Sequence, residues 1–315
     1  MRRILISGAA TWTGGHLIRD LEGRSDVEVI AVDEVPSPLE LETDVQMFEL
    51  DHPEFAHFVI DSKPDAVVHL QTVDRSALLG GRRAHDETVV GAQALFGAIR
   101  RCRAIRQVII KSDVCVYGMG PRNPSVVAEN AQLDGRRSRY AKDLETLERY
   151  VVETAPIRDD VTFTVLRFAP LFGADMSNPL SRYLRLPLVP TRLGYDPRLQ
   201  LISGSDAVGA LHHSLRKPVS GIFNVAAPGQ LYLSRVLRLG KRVAQPLPRR
   251  AYNIAAKGMS RADLHLPNHI KHLVHHGLVA DTRRMRSVLG FEPELNLRQT
   301  VLAGYGLVPG RSATP

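Results

Sequence analysis

A chain of 315 residues with 44% hydrophobic and 23% charged side chains is long enough for a sizeable core and has an ordinary globular composition. No apolar run approaches the roughly 20 residues of a membrane helix. The apolar stretch behind Arg2 and Arg3 ends at once in small and polar residues, so no signal peptide is expected. The formal net charge is +8, with arginines clustered at Arg100-Arg101-Cys102-Arg103, Arg136-Arg137-Ser138-Arg139 and Arg283-Arg284-Met285-Arg286. These clusters are scattered and carry no interleaved aromatics, so they read as solvated helix faces and not as a nucleic-acid surface. Cys102 and Cys115 provide no disulfide framework and fit a reducing cytoplasm.

Arg3–Ser7 reads as a buried strand and Thr13–Glu22 as the helix after it. Val27–Asp33 is a second strand ending in an acid, and Met47–Leu50 a third. A helix follows over Glu54–Asp61. Pro64-Asp65 turns the chain into a fourth strand, Ala66–Leu70. A long helix is predicted over Ala84–Cys102, a strand over Gln107–Lys111, a helix over Tyr140–Glu153 and a sixth strand over Val161–Phe168. Apolar strands alternating with periodic helices imply an α/β protein with a Rossmann-type, doubly wound parallel sheet. After Phe168, Pro170, Pro179, Pro187, Pro190 and Pro197 punctuate a loop-rich stretch. Gly221–Val225 returns as a strand, and the remainder is helical with a frayed tail over 310–315. The expected organisation is therefore a dinucleotide-binding domain over 1–168, joined by the returning strand near 219–226, and a smaller mixed substrate-binding region over 169–315.

The strand–turn–helix around Gly8, Gly14 and Gly15 is the arrangement that seats a dinucleotide pyrophosphate on a helix N-terminus. Asp33, closing the next strand, is placed to accept from the adenosine ribose hydroxyls. That would favour NAD over a 2′-phosphorylated cofactor.

Taken in order, these segments resemble the extended short-chain dehydrogenase/reductase family, the group of NAD-dependent epimerases and dehydratases. Gly8-Ala-Ala-Thr11-Trp12-Thr13-Gly14 looks like that family's G-x-x-G-x-x-G turn. Leu50-Asp51-His52 resembles its adenine-contacting acidic motif, and Pro64–Leu70 the segment ending beside the cofactor ribose. Thr88-Val-Val-Gly91, Val116-Tyr117-Gly118, Leu166-Arg-Phe168 and Asp281–Pro293 continue the series. The resemblance implies cofactor contacts at Gly8, Thr11, Trp12, Thr13, Gly14, Asp33, Asp51, His52, Leu70, Gln71, Thr72, Ser112, Lys142 and Pro170. For the substrate it implies Tyr117 and Arg198.

The departures are as informative. Thr11 stands where the family has its middle glycine. Its side chain either crowds the approach to pyrophosphate or bonds a phosphate through its hydroxyl. Asp113 occupies the place of the catalytic serine or threonine, and when ionised it cannot donate a hydrogen bond; a raised pKa would be needed for it to act as an acid. The family's Y-x-x-x-K dyad is missing: Leu144 follows Tyr140 by four, and Ser138 precedes Lys142 by four. Tyr140 and Lys142, two apart on a helix, point about 200° from one another. Pro170 replaces the asparagine that lies beside the substrate in nucleotide-sugar enzymes of the family. His269, His272 and His276 could share a helical face, but no acidic or cysteine ligand stands near them, so no metal is expected.

These readings converge on an NAD(P)H-dependent oxidoreductase resembling the atypical ketoreductases of aromatic-polyketide and other specialised-metabolite (antibiotic) pathways. Asp113 and Tyr140 are the candidate catalytic residues, with the proton supplied by substrate or water. The cofactor is NADP or NAD, the partner a small-molecule substrate, and neither nucleic acid nor membrane is expected. A cytoplasmic monomer or homodimer fits. A nucleotide-sugar epimerase or dehydratase with a rebuilt acid, and a dinucleotide-binding sensor without chemistry, remain open.

Overall fold

Short apolar runs rich in β-branched residues suit strands that are covered on both faces. In this computed structural model, which describes residues 1–50, 52–72, 85–134, 138–261 and 264–307, seven such runs form one sheet. In chain order the first elements are β1 (Arg2–Ser7), α1 (Trp12–Glu22), β2 (Val27–Asp33), β3 (Val45–Met47), α2 (Pro53–Ser62) and β4 (Ala66–His69). Then come α3 (Gly91–Arg101), β5 (Gln107–Asp113), α4 (Arg139–Thr154), β6 (Thr162–Phe168), α5 (Pro179–Leu184), β7 (Leu188–Arg192) and β8 (Arg198–Leu199). The chain continues through α6 (Gly204–Arg216), β9 (Gly221–Val225), β10 (Leu231–Tyr232), α7 (Leu233–Leu239), β11 (Val243–Leu247), α8 (Arg249–Arg261), α9 (Asn268–His276) and α10 (Leu297–Gly304).

The sheet order is β3-β2-β1-β4-β5-β6-β9, and every pairing in it is parallel. Alternation along each strand divides the core between two layers. Ile4 and Ile6 of β1, Val68 of β4 and Ile109 of β5 pack with Leu17 and Ile18 of α1 and Leu211 of α6. Leu5, Val67, Val108 and Ile110 point the other way, to Phe55, Leu95, Ile99 and Leu147. Chain order reverses at β1 and β4, which leaves a crevice beyond their C-terminal ends.

Three elements depart from the sequence expectation. The third strand lies at Val45–Met47 and not at Met47–Leu50, because Leu50 is fully buried against Gly91. A Cβ on Gly91 would meet the Leu50 Cβ at 2.8 Å. Ahead of α3 the chain makes a π-type turn over Asp86–Val90, so the predicted helix from Ala84 is not one regular α-helix, and residue 84 lies outside the described residues. The Pro-rich stretch is more ordered than its composition suggests. Asn178 and Ser181 form a reciprocal capping box at the start of α5, with Pro179 in its first turn. Among the described residues no helix is long and apolar enough to cross a membrane.

Candidate functional site

The glycine turn sits in the crevice between β1 and β4. Gly8 has φ +88°, and a Cβ there would meet the Leu70 carbonyl carbon at 2.8 Å and the Gln71 nitrogen at 2.9 Å. An added Cβ at Gly14 would run into the Gly8 carbonyl oxygen. Both positions therefore require glycine. Thr11 is the N-cap of α1: its hydroxyl accepts from the Gly14 N–H at 3.0 Å and donates to the Gly8 carbonyl at 2.6 Å. A hydroxyl has one proton to give. The expected Thr11–phosphate hydrogen bond is thus not available by donation, because the side chain is turned inward to close the loop.

Asp33 is likewise engaged by the backbone of the turn. It is 1% exposed; one carboxylate oxygen accepts from the Ala10 N–H at 2.8 Å and the other from Glu34 and Val35 at 2.7 and 3.3 Å. The carboxylate thus braces the glycine turn from beneath, at the C-terminal end of β2. His52 caps α2, its ring accepting from the Glu54 N–H at 3.4 Å, and lines neither of the cavities described below. Asp51 lies outside the described residues.

Beside the turn, Leu70 and Gln71 are buried at the end of β4, and Thr72 is nearly so. The Gln71 amide oxygen and the Thr72 hydroxyl are buried without a hydrogen-bond partner among the described residues. Unsatisfied buried polar atoms are costly, so two of them flanking an open helix N-terminus mark a place built for a polar ligand. The shape and these orphaned groups fit a dinucleotide.

A cavity of about 260 Å³ opens from this point. Thr11, Trp12, Thr13 and Thr72 form one wall, and Lys111, Ser112 and Asp113 at the end of β5 form its floor. Tyr140 of α4 and His269 of α9 close one side, their rings 4.9 Å apart. Phe168, Pro170, Leu171, Met176, Leu180 and Ile270 make the remainder apolar. Trp12 separates this space from a second cavity of about 690 Å³, because it lines both. Its indole donates to Asp175 at 2.9 Å and stacks on His16 at 3.7 Å, tying the glycine turn to the segment after Pro170.

The two candidate catalytic residues are therefore brought together, and Pro170 joins them. Burial pushes the Asp113 carboxyl above its ordinary value; the Cys115 N–H, bonded at 2.7 Å, and the charge of Lys111 oppose that rise. Burial pushes Lys111 down, with Asp113 opposing. Burial outweighs the mutual attraction at both groups.

Four other expected residues are exposed or engaged elsewhere. Lys142 is exposed on the outer face of α4 and lines neither cavity. Ser112 lines the cavity, but its hydroxyl is turned away and donates to Glu148 on the far side of β5 at 2.6 Å. Tyr117 lines neither cavity: its hydroxyl donates to Asn224 at 2.6 Å and accepts from Arg167 at 2.7 Å inside a buried network. Arg198 is held by the Ser125 carbonyl and Gln230, at 3.1 and 3.2 Å, and lines neither cavity. Lys111 was the residue that sequence reasoning missed. Its spacing of two from Asp113 on a strand was the available signal, because residues i and i+2 share a face.

With this geometry in hand, comparison with known proteins decides the class. A profile of the NAD dependent epimerase/dehydratase family matches residues 4–226. The chain belongs to that family. Membership places it among the NAD(P)-dependent oxidoreductases, as the sequence resemblance implies. Uncharacterized proteins of Mycobacterium tuberculosis and Mycobacterium bovis are 32% identical over 323 residues, covering 99% of this chain and 85% of theirs. Among solved structures, the fold is similar to UDP-glucose 4-epimerase of Thermotoga maritima with UDP-glucose (TM-score 0.73, 18% identity, 97% of this chain and 98% of that one). It is also similar to dTDP-glucose 4,6-dehydratase of Bacillus anthracis in complex with NAD (TM-score 0.74, 13% identity, 98% and 96%). The family's tyrosine–lysine spacing is absent here, and Lys111, Asp113 and Tyr140 line one cavity beside the glycine turn.

Proposed function

We propose that this family member is an NAD(P)H-dependent ketoreductase that reduces a carbonyl of a large, apolar metabolite of aromatic or polyketide type. The observation that carries the reading is the cavity itself, in which proton-carrying side chains and apolar walls share one space with the N-terminus of α1. The α1 N-terminus, Thr13, Gln71 and Thr72 would hold the dinucleotide, whose chemistry is to supply hydride. The chain's own part is to hold the carbonyl carbon against it, with the carbonyl oxygen turned toward the floor of the cavity, and to keep water out with Trp12, Phe168, Leu171 and Ile270. Aromatic and aliphatic walls suit an apolar ring system.

A second reading, a nucleotide-sugar epimerase or dehydratase, is favoured by the UDP-glucose and dTDP-glucose enzymes that share the fold. Against it, no arginine lines the 260 Å³ cavity among the described residues, and Arg198 is engaged elsewhere. Beyond the α1 N-terminus, Lys111 is the one lysine or arginine lining that cavity among the described residues, so a second diphosphate would lack the bidentate partners an arginine supplies.

Following NADH and NADPH oxidation against a panel of aryl and polycyclic ketones, beside UDP-glucose and dTDP-glucose conversion, separates the two. Ketone-dependent oxidation with no sugar turnover is the expected result. Sugar turnover alone would replace this reading with the second. Dinucleotide binding without turnover of either panel would leave a sensor as the function.

A further inference from the structure

Lys111 is the only lysine among the described residues that lines the cavity beside the glycine turn. On β5 alternate side chains face opposite layers: Ile109 enters the core with Ile4 and Ile6, while Ser112 points the other way to Glu148. Lys111 and Asp113 continue the face of Ile109 beyond the sheet, side by side, into the cavity that Tyr140 shares. Among the described residues no ion pair or hydrogen bond is recorded for the Lys111 ammonium. Apolar surroundings penalise its charge, and Asp113 offsets that penalty only in part. A lysine so placed gives up a proton more readily than one in water, and it shares its cavity with Tyr140.

We propose that Lys111 is the catalytic acid of this site, a role resting on the reductase reading above. As the carbonyl carbon gains its new C–H bond from the supplied hydride, the carbonyl π pair passes to oxygen. That oxygen takes a proton from Lys111 Nζ, whose N–H bond breaks to leave a neutral amine. The carbonyl is reduced, the nicotinamide oxidised, and solvent water returns the proton to the amine. Asp113 is the positioning group: its negative charge keeps Lys111 protonated between turnovers.

The test reads the lysine directly. In protein carrying ¹³C at lysine Cε, one signal, absent from Lys111→Arg, should titrate at least about one pH unit below the other lysines, a tenfold change in protonated fraction. Saturation with oxidised dinucleotide, NAD or NADP, should lower it further than the reduced form does, because the oxidised ring carries positive charge. By reciprocity, Lys111→Met should bind the oxidised form several-fold more tightly relative to the reduced form. On any ketone turned over, the same variant should lose about a hundredfold or more in kcat/KM. Retained affinity for reduced dinucleotide shows that the variant is folded. A Lys111 signal that titrates with the rest, or that ignores the oxidation state of the dinucleotide, overturns the proposal while leaving the reductase reading in place. If neither dinucleotide binds the wild-type protein, the reductase reading itself fails, and this proposal with it.

Discussion

Gly14 shows how far a single position constrains the site. With the Gly8 carbonyl oxygen in the place a Cβ would take, Gly14→Ala must either open the turn or shift α1. A forced contact of this kind costs about 1–3 kcal/mol, and the displaced helix N-terminus should weaken dinucleotide binding by more than tenfold. Urea denaturation and a binding titration measure the two effects separately; a variant with unchanged affinity would show that the turn is not the seat of the cofactor. His69 makes a different residue-scale prediction. It is fully buried, its Nδ1 lies 2.7 Å from the Ser7 hydroxyl, and burial lowers its pKa from 6.5 to about 4. The folded-state value is below the unfolded one, so the unfolded chain binds more protons in between. Stability from this group is fully present above pH 6.5 and is lost as pH falls toward 4, by roughly 3 kcal/mol over that window. His269, lowered to about 3, acts in the same direction. Urea midpoints measured from pH 7 to pH 4 should fall steeply in the wild type and less steeply in His69→Gln.

Between elements, Glu148 on α4 and Arg167 on β6 form a buried ion pair. Arg167 donates to Glu148 at 2.5 and 2.9 Å and to the Tyr117 hydroxyl, which in turn reaches Asn224 on β9. Removing one partner leaves a charge buried alone, so Glu148→Gln should cost about 3–5 kcal/mol. Tyr117→Phe, which leaves the pair intact, should cost about 1–2 kcal/mol. Chemical denaturation checks both, and a Tyr117→Phe protein of unchanged stability but raised KM would return Tyr117 to the substrate site. The same elements show what the sequence discloses. Strands such as Val27–Asp33 and Gly221–Val225 were legible because a continuous apolar run bounded by turn residues has one sensible fate in an α/β chain. Gly8 and Gly14 were legible because their spacing reports backbone geometry directly. Tyr117, Arg198 and Lys142 misled because a motif gives an address in the chain, whereas direction depends on neighbours far away in sequence. Asn224, 107 residues from Tyr117, is one such neighbour. Lys111 went unnoticed for the converse reason: its spacing of two from Asp113 puts both on one strand face, but that this face opens on a cavity depends on α4 and α9, distant in sequence.

At the scale of the whole molecule, ligand binding and folding are coupled through the crevice. The chain has one tryptophan, Trp12, and it stands between the two cavities, bonded to Asp175 across the gap from the glycine turn. A reduced dinucleotide seated on α1 would therefore quench Trp12 fluorescence and emit by energy transfer from it, giving a binding signal free of any other indole. A ligand seated across the ends of β1, β4 and β5 would raise the stability of the fold as a unit. At a hundred times Kd the gain is about 2.7 kcal/mol. For a chain of this length that corresponds to a rise of roughly 4 °C in Tm. Asp175→Ala, which frees the indole, should change the tryptophan emission of the unliganded protein without abolishing the transfer signal. The two observables must move together across a ligand titration. Stabilisation without energy transfer would place the dinucleotide away from Trp12, and would separate the family's cofactor from the cavity that Lys111 and Asp113 occupy.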